Sequence, residues 1–164
     1  MQFPLHDGTQ TTLEDLAKDR GAALVFLRHF GCLFCRYQVA QLRPAKDLPI
    51  VFVCMESPEE AAAFRAKLRS PHPFLSDPQR VLHERFGVKR GTGRQLVNLN
   101  SFKQGLRAMG SGSFQGKVTS DPMQLSAAVV LDREGKPTWS HLAVEAGDIV
   151  SPETLREKLA RFAQ

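Results

Sequence analysis

The chain has 164 residues, a net charge of +5 and 42% hydrophobic residues, a composition that suits one folded domain and excludes disorder, collagen and low-complexity repeats. Its uncharged apolar runs, Gly21–Leu27 and Leu125–Leu131 among them, fall far short of the ~20 residues that a membrane-spanning helix needs. Met1–Asp7 has no basic stretch leading into an apolar run, and three cysteines are too few for a disulfide scaffold, so the expected compartment is reducing, the cytoplasm.

In chain order, Leu5–Thr9 reads as a turn or short hairpin, and Thr12 as a helix cap with Asp15 three residues on. Ala22–Arg28 is a continuous apolar run, the pattern of a strand covered on both faces. Cys35, Val39 and Leu42 recur at helical spacing, and Pro44 ends that helix. Pro49–Cys54 is a second buried strand. Ser57-Pro58-Glu59-Glu60 then opens a helix whose apolar face carries Ala61, Phe64, Ala66 and Leu68. Phe74–Pro78 is extended, and Gln79–Phe86 is helical.

The stretch 87–124 is irregular in pattern, with a helix expected over Asn100–Met109 and a loop over Gly110–Gly116. Ser126–Asp132 and Thr138–Val144 flank a turn at Arg133–Pro137 and read as a hairpin. Ser151-Pro152-Glu153 opens a last helix with Leu155, Leu159 and Phe162 on its apolar stripe. Alternating elements followed by a hairpin and helix predict an α/β fold with a central mixed sheet flanked by helices. One domain over 1–164 is expected, with a basic insert at about 87–125.

Charge is concentrated in a segment that overlaps that insert. Residues 80–117 carry eight basic side chains (Arg80, Arg85, Lys89, Arg90, Arg94, Lys103, Arg107 and Lys117) against Glu84 alone. Residues 1–79 are neutral and the remainder is acidic by two charges. Such a patch is a solvated face or a means of steering an acidic substrate or partner. It carries no nucleic-acid motif, and Gly91-x-Gly93 and Gly110-x-Gly112 lack the third glycine of a nucleotide loop.

The residues richest in chemistry are Phe30-Gly31-Cys32-Leu33-Phe34-Cys35-Arg36. A Cys-x-x-Cys between a buried strand and a helix places sulfur at unsatisfied backbone N–H groups and at the positive end of the helix dipole, which favour thiolate. Arg28, His29 and Arg36 add to that field. Zinc would want a second paired set of ligands; only Cys54 and scattered histidines remain, so no metal site is expected. Buried structural cysteines are a further alternative to redox chemistry. Cys54 ends a strand and reads as inert core, His29 as a surface or partly satisfied histidine, and Trp139 and Phe102 as core.

Phe26–Arg36, together with Phe86-Gly87-Val88-Lys89-Arg90 and Phe114-Gln115-Gly116, resembles the peroxiredoxin-like AhpC/TSA family, in the branch related to prostamide/prostaglandin F synthase. The resemblance implies a thioredoxin-like fold and a thiol oxidoreductase that reduces hydroperoxides through a Cys32/Cys35 dithiol–disulfide cycle. Against the family pattern Pro-x-x-x-Thr-x-x-Cys, Arg28 takes the Pro position, Cys32 the Thr position and Cys35 that of the peroxidatic cysteine. Ser126 stands where thioredoxins keep a proline.

The implied site is Cys32, Cys35, Arg28 and Arg36, the arginines polarising the peroxide. No bound cofactor is implied, only an external thiol reductant, thioredoxin or glutathione. A thioredoxin-like protein disulfide reductase reverses the roles, with Cys32, the more exposed cysteine, attacking and Cys35 resolving. A redox-sensing interaction module is the third reading.

Overall fold

The structure is a computed structural model that describes residues 1–92, 105, 107–110, 112–113 and 116–162. Strands β1 (Phe3–Pro4) and β2 (Gln10–Thr11) form the expected small hairpin, Phe3 opposite Thr11. Helix α1 (Leu13–Ala17) is capped by Thr12, whose hydroxyl accepts the Asp15 N–H and donates to the Asp15 carboxylate. Asp15 thus meets the cap hydroxyl, not the Thr12 backbone N–H of a full capping box.

The central sheet has five strands: β3 (Ala22–Phe26), β4 (Ile50–Cys54), β5 (Phe74–Ser76), β6 (Ala127–Leu131) and β7 (Pro137–Leu142). Their order is β5-β4-β3-β6-β7, with β3, β4 and β5 parallel and β6 and β7 antiparallel. The mixed sheet expected from the element order is present. The turn before β7 uses Gly135 at φ +76°, a region open to glycine.

Alternation along the strands divides the core in two. Ala23, Val25, Phe52 and Val130 face α2 (Leu33–Leu42), α3 (Pro58–Leu68) and α5 (Pro152–Leu159). Leu24, Phe26, Val51 and Val129 face α1 and α4 (Val81–Arg85). Period-two side chains on strands with both faces covered produce the continuous apolar runs seen in the sequence.

Helix α3 has the full capping box: Ser57 Oγ accepts the Glu60 N–H and the Glu60 carboxylate accepts the Ser57 N–H. It ends at Arg69 in the left-handed region, and Ala66, expected on the apolar face, is exposed. Ser151 caps α5, with Leu155 and Leu159 buried and Phe162 half-buried in the following 3-10 turn. Helix α4 begins later than expected because Asp77 caps it, accepting the Val81, Leu82 and His83 N–H groups.

Residues 105 and 107–110 are helical; Phe102 and most of the helix expected over Asn100–Met109 lie outside the described residues. Gly110, expected in a loop, closes that helical stretch. Trp139 is half-buried against the core. No helix among the described residues is long and apolar enough to cross a membrane.

Candidate active site

Strand β3 runs in the core to Phe26, and the chain then crosses the end of the sheet through Leu27–Gly31 before Cys32 caps α2. Phe30 anchors this loop. Its ring stacks on Phe64 of α3 (centroids 4.0 Å apart) and meets Phe74 of β5 edge-on at 6.2 Å. Arg36, one turn into α2, donates from Nε to the Phe30 carbonyl (2.9 Å).

Cys32 lies at the helix N-cap with extended backbone, its N–H donating to the His29 carbonyl (3.0 Å). Cys35, in the first turn, receives the Arg28 backbone N–H at Sγ (3.1 Å). The Arg28 guanidinium reaches the other sulfur, Nη1 donating to Cys32 Sγ (3.3 Å). Its Nε and Nη2 are bound by the carbonyls of Gln124 (2.7 Å) and Pro122 (2.8 Å), so the planar fork is held in one orientation.

The two sulfurs differ sharply in acidity. A hydrogen bond from the Cys35 thiol, then the Arg28 charge, pulls Cys32 down to about 6. The Phe34 and Cys35 N–H groups favour the Cys32 charge too, although neither closes a capping hydrogen bond. Burial pushes the Cys35 thiol well up, and the neighbouring Cys32 sulfur pushes the same way. Of the two sulfurs, Cys32 is therefore favoured as the thiolate and Cys35 as the neutral thiol. Cys54 is wholly buried in the same core face, its thiol raised by burial, consistent with inert core.

Cys32 was expected to be the more exposed cysteine; it is 2% exposed and Cys35 3%. The segment 116–125, which runs into β6, lies against the loop that leads to Cys32. The Gly116 N–H donates to the Gly31 carbonyl (2.7 Å), and a Cβ on Gly31 would sit 1.9 Å from the Lys117 carbonyl oxygen. Only glycine permits that approach. The helical residues 107–110 follow Gly105, whose Cα faces Leu33 and Phe34 at the start of α2. Part of the basic insert therefore touches the site.

His29 departs from expectation as well. It is buried, its Nδ1 has no partner among the described residues, and burial with the Arg28 and Arg36 charges drives it down to about 4. Arg36 makes no hydrogen bond to either sulfur among the described residues; it braces the loop at Phe30.

Other residues at the site had no signal in the sequence. Glu56, buried beyond β4, receives the Phe30 N–H at Oε1 (3.1 Å) and the hydroxyls of Thr119 and Ser120 (2.9 Å for Ser120). A buried acid between an apolar strand and a helix cap is the one hint the sequence offers. The carbonyls of Pro122 and Gln124 have none, since any residue supplies one.

A sheet of this order, with a Cys-x-x-Cys capping the helix after its central strand, defines a thioredoxin-fold thiol protein. The solved structures similar to it include peroxidoxin BcpB of Mycobacterium tuberculosis, at TM-score 0.68 and 20% identity over 100% of this chain and 94% of that one. The bacterioferritin comigratory protein of Xanthomonas campestris gives 0.64 at 18% over 99% and 89%.

Residues 36–145 match the model of the family described as AhpC/TSA antioxidant enzyme, and the chain belongs to that family. The match begins just past Cys35, so the dithiol rests on its own geometry. Among curated relatives, the chloroplastic thioredoxin-like protein AAED1 of Arabidopsis thaliana is 26% identical over 86% of this chain and 62% of its own length. Peroxiredoxin-like 2C of Mus musculus is 29% identical over 55% and 44%. Prostamide/prostaglandin F synthase of Salmo salar is 25% identical over 93% and 80%. The chain thus spans less than two thirds of the first two.

Proposed function

We propose that this protein is a thiol peroxidase whose attacking group is Cys32. The observation that carries the reading is the guanidinium of Arg28 on Cys32 Sγ, with Cys35 held behind it as a neutral thiol. The Cys32 thiolate attacks the terminal oxygen of a hydroperoxide, the O–O bond breaks, and the leaving alkoxide takes a proton to become an alcohol. Arg28 offers its N–H where negative charge passes from sulfur to oxygen.

Cys32 is then a sulfenic acid. The Cys35 thiol condenses with it, water leaves, and a Cys32–Cys35 disulfide forms. An external thiol reductant of the thioredoxin or glutathione type restores the dithiol by exchange. The family alignment puts Cys35 in the attacking position; the ionisation of the pair favours Cys32, because the thiolate is the nucleophile. Arg36 acts through the loop. A protein disulfide reductase would use the same polarity, but the burial of Cys32 favours a small substrate.

Single-turnover mixing of the reduced protein with hydrogen peroxide and an organic hydroperoxide tests this. Thiol loss should greatly outpace that of a free thiol, persist in Cys35→Ser with a trappable sulfenic acid on Cys32, and vanish in Cys32→Ser. Oxidation no faster than a free thiol would sink the peroxidase reading and promote the disulfide reductase.

A further inference from the structure

The junction around Glu56 does nothing in the chemistry just described, yet it joins three separate parts of the chain. Glu56 itself follows β4, and its backbone carbonyl is held by the Ser76 hydroxyl of β5. Its Oε1 receives the Phe30 N–H of the loop before Cys32 and the hydroxyls of Thr119 and Ser120 from the covering segment. The Phe30 N–H also reaches Thr119 Oγ1 (3.0 Å). Glu56 Oε2 has no partner among the described residues. All donors therefore crowd on one oxygen, and that oxygen is where the strap meets the loop.

The rest of the strap gives it little reason to stay. Residues 117–119 are exposed, Val118 among them at 46%, so no apolar side chain from 116 to 119 is buried under it. Among the described residues its inward contacts include Gly116 on Gly31 and beside the Arg36 guanidinium, the hydroxyls on Glu56, and, further along, the Pro122 and Gln124 carbonyls on Arg28. A segment held by a few hydrogen bonds opens at far lower cost than the sheet beneath it. Cys32 is 2% exposed, so a substrate reaches its sulfur only when the chain around it moves, and the strap lies against the residue just before it, Gly31.

We propose that Glu56 is a positioning residue, a latch that holds the 116–120 strap closed over Cys32 and so sets how often the sulfur is accessible. The inference rests on Cys32 as the attacking cysteine, and access to that sulfur then requires the Thr119 and Ser120 hydroxyls to leave Glu56. The Arg28 contacts to Pro122 and Gln124 lie further along and hold the guanidinium while the strap moves.

The test is alkylation of the full reduced chain by iodoacetamide across pH, with the labelled cysteine identified by peptide mass. In that profile the midpoint reports ionisation and the plateau reports access. Three variants address the strap: Thr119→Val with Ser120→Ala, which removes the two hydroxyls; Glu56→Gln, which weakens the acceptor; and Gly31→Ala, whose Cβ pushes against the Lys117 carbonyl without touching Glu56.

Loss of one hydrogen bond to a charged group corresponds to about a tenfold change. The hydroxyl pair and Gly31→Ala should therefore each raise the plateau about tenfold or more, Glu56→Gln less, with the midpoint unmoved. An unchanged plateau in the hydroxyl variant overturns the latch, as does a moved midpoint with no gain in plateau. Cys54 is the internal gauge of folding: fast labelling there marks an unfolded variant, and Ser120→Ala alone then takes its place. A raised plateau with the label on Cys35 supports the latch and refutes Cys32 as nucleophile, so the two ideas fail separately.

Discussion

All residues of β3, β4 and β6 are buried, and their side chains alternate between two apolar layers. The strap at 116–120, which lies against the site loop, has residues 117–119 in solvent and is tied down by hydrogen bonds and a glycine contact. Burying a large side chain contributes ~1.5–3 kcal/mol, whereas a hydrogen bond contributes ~0.5–1.5 kcal/mol net. The sheet is thus a rigid support and the strap a cheap cover. Stability and reactivity reside in different segments, and each is open to change without the other.

The largest separation of the two comes from the sheet. Phe52, fully buried in β4 against Phe74, should cost about 3–5 kcal/mol on replacement by alanine. Urea unfolding measures that loss, and the midpoint of Cys32 alkylation should stay near 6 under conditions where the variant remains folded. A moved midpoint would couple sheet and site.

Arg28 is the opposite case. Arg28→Ala should lower the rate of peroxide-driven thiol loss about 100-fold, the effect of removing one charge-stabilising donor from a preorganised site. It should also raise the alkylation midpoint of Cys32 above 6. Arg28→Lys restores charge without the two carbonyl contacts and should recover only part. A rate within threefold of wild type would remove Arg28 from the chemistry.

The buried loop makes a smaller, pH-dependent contribution. His29 is drawn from 6.5 to about 4 by burial and by Arg28 and Arg36. Between those values the unfolded chain binds a proton that the folded one refuses. Stability should therefore fall as pH drops from about 6.5 toward 4. Thermal melts of wild type and His29→Gln over that range check it: the variant should show a shallower slope, and equal slopes would refute the assignment.

Smallest is the cap of α3. Ser57→Ala removes one half of the capping box and should cost about 1 kcal/mol. Denaturant midpoints read it directly, and the rate of thiol oxidation should not change. A loss of rate would mean that α3, through Phe64 on Phe30, transmits its strain to the loop.

The elements were legible because their causes are local. Continuous apolar runs, Ser57 and Ser151 before proline, and Gly135 in its turn each act within a few residues. Resemblance near Cys32 and Cys35 pointed to the family, and the match over residues 36–145 bears it out. The sequence also located the dithiol at a strand-to-helix junction, where the chain does place it. It could not rank the two cysteines. Their acidity depends on which sulfur meets the Arg28 guanidinium and which is desolvated, and both follow from packing.

Tertiary structure alone decided that Cys32 is covered, that His29 is buried, and that Glu56 belongs to the site. The contacts responsible join Glu56 to Thr119 across 63 residues and Arg28 to Gln124 across 96. Carbonyls and hydroxyls of this kind leave no periodicity, because a single hydrogen bond constrains one position and not a pattern. What the amino-acid sequence determines by itself is therefore the sheet, its helices and the dithiol. The closure over the dithiol emerges only when distant segments meet.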